Sequence, residues 1–234
     1  PFFNEKAVCE LGKNLDKSKK LHRSGTEYAL KVLKRFSEIL NVSKITNLKI
    51  IATAVLREAT DTKPFIDEVE KLFKTKINIL SGDEEAECSA EGVKIGFENV
   101  DGLVADLGGG SLELARVENN IVTNKTSLPF GVLRLLNNPI VKKRNLAKYI
   151  KKLLREEKWL SKKRFNNLYL VGGTWRSLFK LHLFQNNHPV HIIHQYSIDN
   201  NVLSKFVEKI SSFNKSKLKT VEYISKSRTP YLPY

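Results

Sequence analysis

Asp106-Leu107-Gly108-Gly109-Gly110-Ser111 is the stretch on which the fold turns. Gly102–Leu107 is a short apolar run of buried-strand type, and it ends on a carboxylate followed by three glycines and a serine. A carboxylate at the end of a buried strand is costly unless it meets a cation or hydrogen-bond donors. Three successive glycines let the backbone approach an anion closely, and their N–H groups can form a nest for phosphate. The Ser111 hydroxyl adds a donor. The turn leads into a second strand, so it is neither a Walker loop nor a dinucleotide fingerprint, both of which open helices. The plainer reading is a glycine hairpin with an incidental aspartate.

Outward from this turn, Leu112–Val117 and Ile121–Ser127 flank Glu118-Asn119-Asn120 and predict a hairpin. A basic helix follows at about 142–158, then a strand at Asn167–Val171, a tight turn at Gly172-Gly173 and a helix over Thr174–Phe184. Asp199–Phe213 and Lys215–Ser225 also have helical spacing. Toward the N-terminus, Ala29, Val32, Leu33, Phe36 and Leu40 predict a helix from Thr26, with Ser24 as its cap. Leu48–Thr53 and Ile77–Leu80 read as strands around a helix near Pro64–Phe73. Ser81 and Glu84 stand three apart, as a capping box requires, at the start of a helix that reaches about Ile95. Residues 1–23 read as an irregular polar lead-in. Strands alternating with helices predict an α/β protein, with a boundary between lobes near Phe97–Asp101.

Composition narrows the function. A 41% hydrophobic fraction suits a folded protein, and no run nears the roughly 18 apolar residues of a membrane span. Cys9 and Cys88 lie far apart and make no metal pattern, which favours a reducing cytoplasm. Forty basic against 25 acidic residues leave a net charge of +15, favouring polyanionic partners. Much of the surplus lies in Lys142–Arg144, Lys148, Lys151, Lys152, Arg155 and Lys162–Arg164, which reads equally well as a solvated helix face. Aromatic interleaving and helix-turn-helix or zinc-finger spacing are lacking, so specific nucleic-acid binding is not expected. His182, His188, His191 and His194 suggest a metal, but Pro189 disrupts helical spacing, and steps of three alternate faces on a strand.

Two further residues are candidates for chemistry. Glu85 lies in the first turn of a predicted helix, where the dipole favours a carboxylate, and a base that activates water must be ionised and aimed. Arg57 follows a strand, and guanidinium matches phosphate oxygens in paired geometry.

The motifs Ala52–Ala59, Leu80–Ala86, Asp106–Leu114 and Ser127–Leu135, in this order and spacing, resemble those of the exopolyphosphatase / guanosine pentaphosphate phosphohydrolase (Ppx/GppA phosphatase) family. Val171–Arg176 and His191–His194 resemble later segments of one bacterial branch, and the likeness weakens after about residue 200 before returning at Tyr223–Tyr234.

The resemblance implies a two-lobed actin-like ATPase (ribonuclease H-like) α/β fold, with lobes at 1–98 and 99–234 and a cleft between them. It implies Glu85 as the catalytic base, Asp106 as a Mg²⁺ holder with Glu113 supporting it, and Gly108, Gly109, Gly110 and Ser111 as the phosphate loop facing Arg57. The implied substrate is inorganic polyphosphate, or guanosine pentaphosphate by the same chemistry, and a homodimer of a longer parent is allowed. The family's opening Asp-Gly-Ser-Asn loop is not found ahead of Asn4, and there is no methionine. The family's glycine-rich stretch and final helix are not found after Tyr234 either, so a fragment truncated at both ends, with an incomplete first lobe, a second lobe missing its C-terminal end and weak or no activity, is expected. The competing classes are an inactive polyanion-binding remnant and an actin-like nucleotide-binding ATPase.

Overall fold

A break in the contact pattern at Glu85/Ala86 divides the chain into two units, Pro1–Glu85 and Ala86–Tyr234, in a computed structural model that describes residues 3–137, 143–161 and 164–212. The lobe boundary expected at 98/99 follows the break in the sequence pattern at Phe97–Asp101, a different criterion from contact.

The first unit contains α1 (Leu15–Ser18), α2 (Arg23–Val42), β1 (Ile50–Ala52), α3 (Ala54–Glu58), α4 (Lys63–Phe73), β2 (Ile77–Ile79) and the start of α5 (Gly82–Gly96). β1 and β2 pair in parallel, with Ile50 opposite Ile77. Ala29 of α2, Leu56 of α3, and Phe65 and Val69 of α4 form the buried core, and Ile50 and Ile79 pack against it. The opposite face of the strand pair carries Ile51, 54% exposed, so these strands bury one side only.

Two local expectations change here. His22, not Ser24, caps α2: its carbonyl accepts the Thr26 N–H at 2.8 Å, which places Ser24 inside the first turn. The strand expected over Leu48–Thr53 narrows to Ile50–Ala52, because the Thr53 carbonyl accepts N–H groups of Leu56 at 3.0 Å and Arg57 at 3.2 Å and starts α3. Five residues are too few to display a 3.6-residue period. By contrast, the capping box of α5 forms as its spacing predicts. The Ser81 N–H donates to Glu84 Oε2 at 2.7 Å, and the Glu84 N–H donates to Ser81 Oγ at 3.2 Å.

The second unit is built on a mixed sheet in the order β5-β4-β3-β6. β3 (Gly102–Leu107), β4 (Leu112–Glu118) and β5 (Ile121–Leu128) form antiparallel pairs, and β6 (Leu168–Val171) runs parallel to β3. Asn119 and Asn120 turn the hairpin with φ of 50° and 63°, the left-handed pair that asparagine tolerates. Around the sheet lie α6 (Val132–Asn137), α7 (Lys143–Glu156), α8 (Lys158–Ser161), α9 (Gly173–Gln185) and α10 (Asn200–Ser211).

Both faces of the sheet are covered, which is why β3 reads as a nearly unbroken apolar run. On one face Ala105, Leu107, Leu112 and Leu114 meet Leu146 of α7. On the other, Val104, Ala115 and Val117 meet Ala86 and Ala90 of α5. Burial of Val100, Val104 and Val117, each under 2% exposed, stabilises by roughly 1.5–3 kcal/mol apiece.

The basic helix expected at 142–158 is interrupted at Glu157. Its carboxylate accepts the Thr126 hydroxyl and the Trp159 indole N–H, both at 3.0 Å, and α8 starts afresh. Gly172 alone makes the turn after β6, and Gly173 is already helical. The helix expected over Lys215–Ser225 lies outside the described residues. Among the described residues no helix is long and apolar enough to cross a membrane.

Candidate functional site

Strand alternation places Asp106 on the sheet face that carries Val104, toward α5. Asp106 is the last residue but one of β3, opposite Glu113 on β4 and beside Val171 on β6. Ser89 of α5 donates its hydroxyl to Asp106 Oδ2 at 2.8 Å. Gly172 stands near the other oxygen: a Cβ there would lie 3.0 Å from Oδ1 and 2.8 Å from the Leu107 carbonyl oxygen. Its φ of 112° also disfavours any side chain.

The glycine turn is braced by backbone. The Gly108 N–H donates to the Ser111 carbonyl at 3.0 Å, closing the turn on itself. The Val132 and Leu133 N–H groups, from the first turn of α6, donate to the carbonyls of Gly108 at 3.2 Å and Gly109 at 2.9 Å. With those carbonyls engaged, the N–H groups of Gly109, Gly110 and Ser111 donate to no described group. They are the donors an anion would use. Gly131 makes this bracing possible, since a Cβ there would meet the Gly109 carbonyl oxygen at 2.3 Å.

Glu113 lies beneath the turn, 3% exposed, and its Oε1 accepts the Ser127 hydroxyl at 2.8 Å. A carboxylate this deep needs such donors to persist.

The first unit brings together the other two candidates. The Arg57 Nη1 donates to Glu85 Oε2 at 3.3 Å and to the Leu80 carbonyl at 2.5 Å. Short α3 supplies the arginine and the first turn of α5 supplies the glutamate. The pair is about three-quarters buried, so the guanidinium is fixed by a backbone acceptor while its remaining N–H groups meet no described partner. That is the arrangement of a charge that orients a carboxylate and still has donors for phosphate.

A magnesium ion fits one part of this chemistry. Among the described residues no three His, Cys, Asp or Glu side chains converge, so a cage made wholly of protein ligands is not present. Mg²⁺, however, is commonly held by one or two carboxylates, with water and substrate phosphate completing its shell. Asp106, half-buried at the rim of the turn, has the position and chemistry for that role.

Four residues of the surroundings were not singled out from the sequence: Ser89, Ser127 and Gly131, and Leu80 through its carbonyl. Ser89 carries a readable signal, because it shares a helix face with Ala86, Ala90 and Val93, where a hydroxyl calls for a partner. Leu80 acts only through its backbone; it opens the Leu80–Ala86 motif, but nothing in that motif gives its carbonyl a role.

The remaining charged and histidine-rich segments lie elsewhere in the second unit. Lys148, Lys151, Lys152 and Arg155 are exposed on α7, whose Leu146 is buried in the core. His182 pairs through Nδ1 with the Tyr196 hydroxyl at 2.9 Å and stacks edge-on against Phe206. Burial, with a smaller contribution from His188, holds its pKa below the usual histidine value.

The chain matches the Ppx/GppA phosphatase family over residues 1–233. Over 94% of its length it is 30% identical to the bifunctional 3-dehydroquinate synthase/phosphatase of Fusobacterium nucleatum, of which it covers 35%. Over 57% of its length it is 35% identical to the guanosine-5'-triphosphate,3'-diphosphate pyrophosphatase of Aeromonas hydrophila, of which it covers 27%. The chain thus spans about a third of the length of these curated relatives or less. In structure it is similar to an exopolyphosphatase from Cytophaga hutchinsonii, with a TM-score of 0.84 at 20% identity over 99% of this chain and 78% of that one. A Ppx/GppA family member from Aquifex aeolicus gives a TM-score of 0.74 at 18% identity, over 97% of this chain and 76% of that one. At these identities the two structures speak to the fold, and the expected α/β fold is the one they share.

Proposed function

Since the chain belongs to the Ppx/GppA phosphatase family over residues 1–233, we propose that it carries a phosphohydrolase site that removes the terminal phosphate of inorganic polyphosphate. The observation that carries this reading is the glycine turn, whose Gly109, Gly110 and Ser111 N–H groups are unengaged by described groups beside the Asp106 carboxylate. Such donors match the oxygens of a terminal phosphate.

In this reading Glu85 is the base. It takes a proton from a water whose oxygen attacks the terminal phosphorus, the phosphoanhydride bond breaks, and the shortened chain leaves as an oxyanion. Arg57 orients the Glu85 carboxylate and offers its remaining N–H groups to phosphate oxygens. Asp106 would hold Mg²⁺, with Glu113, buried under the turn, supporting its shell. When bound, the ion neutralises phosphate charge. A net charge of +15 raises the local concentration of any polyanion. The cytoplasm is the compartment that suits this substrate and two free cysteines.

Guanosine pentaphosphate is the second substrate in this reading, favoured by the likeness to the Aeromonas hydrophila protein and cut by the same chemistry. The test is phosphate release by the natural protein that carries this chain, assayed with long-chain polyphosphate and with guanosine pentaphosphate. Release that depends on Mg²⁺ and is faster from polyphosphate is expected. Release undiminished by a chelator, or none from either substrate, would overturn the proposal.

A further inference from the structure

Ser89 stands on the apolar seam of α5. Ala86 and Ala90 are buried there, and Val93 joins them against Val104 and Ala115 of the sheet. A hydroxyl among such neighbours needs a partner, and it has one in Asp106 Oδ2 at 2.8 Å. The bond occupies one carboxylate oxygen from the α5 side, while Oδ1 lies against the open Cα of Gly172. Glu113, opposite Asp106 across the β3–β4 ladder, is held in the same manner, with its Oε1 accepting the Ser127 hydroxyl. Each facing carboxylate therefore has one oxygen engaged by a serine.

We propose that Ser89 is a positioning residue that sets cation preference: by holding Oδ2, it makes Asp106 a one-oxygen ligand and favours Mg²⁺ over Ca²⁺. The two ions differ in what they ask of a carboxylate. Mg²⁺ keeps a near-octahedral shell with several waters and takes one or two carboxylates, whereas Ca²⁺ takes six to eight oxygens and readily accepts both oxygens of one carboxylate. A carboxylate fixed by a neighbouring hydroxyl cannot turn to chelate without breaking that bond. The inference rests on the reading of Asp106 as the metal holder, and it adds a residue that neither the glycine turn nor the Arg57–Glu85 pair contains.

The experiment follows bound Mn²⁺ by the loss of its free-ion electron paramagnetic resonance signal in the 234-residue chain. Mg²⁺ or Ca²⁺ then competes it away. Only the Mn²⁺ lost in Asp106→Asn is counted, which removes binding at other surface carboxylates. Ser89→Ala is expected to move the Ca²⁺-to-Mg²⁺ competition ratio about tenfold toward Ca²⁺, and Ser89→Thr, which keeps a hydroxyl, to stay within about twofold of the parent. Thermal melts of both variants separate this effect from general loosening of α5. An unchanged ratio in Ser89→Ala, or an equal shift in Ser89→Thr, overturns the proposal while leaving Asp106 as a metal holder. Failure of the underlying reading looks different: no Asp106-dependent Mn²⁺ binding in the parent chain, which removes both together.

Discussion

The glycine turn of the second unit and the Arg57–Glu85 pair of the first are held by opposite means. The turn is fixed by backbone: α6 donates to the carbonyls of Gly108 and Gly109, and Gly131 lets the chain close against it. In the pair a side chain does the holding: one guanidinium nitrogen donates both to the Glu85 carboxylate and to the Leu80 backbone carbonyl. Backbone bracing gives a rigid cradle whose shape tolerates little change in volume. Side-chain pairing gives a carboxylate that can exchange partners when a ligand arrives. In the proposed reading the turn is the phosphate loop and Glu85 the base, and these are the properties each would use.

The contrast is open to direct attack. Gly131→Ala should cause the largest effect, because its Cβ would stand 2.3 Å from the Gly109 carbonyl oxygen and the backbone has to move. Overpacking of this kind costs about 3 kcal/mol, a fall in melting temperature of roughly 10 °C in a chain of this size. A scanning-calorimetry shift below about 2 °C would show the turn to be as compliant as the pair.

Arg57→Ala should cost less, on the order of 1.5 kcal/mol, since the Leu80 carbonyl and the partly exposed Glu85 carboxylate each lose one donor. Urea unfolding measures it, and a loss as great as that of Gly131→Ala would erase the distinction.

The smallest effect lies outside both regions and serves as a control. His182 is held below its usual pKa by burial, so the folded chain prefers its neutral form. Above about pH 6.5 both folded and unfolded forms are neutral and the stabilisation is complete. As pH falls from there, the unfolded chain takes the proton first, and stability declines until the lowered folded pKa is passed. Melts between pH 7 and pH 5 should show this decline in the parent and a flatter profile in His182→Leu. Equal slopes would assign the pH dependence to other groups.

The two regions also differ in how far the sequence disclosed them. A strand ending in a carboxylate and three glycines is a local pattern, so β3, the turn and β4 could be placed almost to the residue. The capping box of α5 was visible for the same reason. What escaped was short or non-local. α3 and α6 are too brief to show a period, though α3 carries Arg57 and α6 braces the turn. The Arg57–Glu85 contact joins residues 28 apart, and nothing along the chain announces it. Ser89 was legible in principle, as a polar residue on an apolar seam. The partner it bonds, 17 residues on, became evident only once α5 was laid across the sheet.

The most direct measurement is phosphate release from long-chain polyphosphate by the natural protein carrying Glu85→Gln, with polyphosphate affinity measured on the same preparation. Turnover should fall at least about a hundredfold, the range of a lost general base, while affinity stays within about threefold of the parent. Unchanged turnover would remove Glu85 from the role of base, because the water would then be activated by some other group.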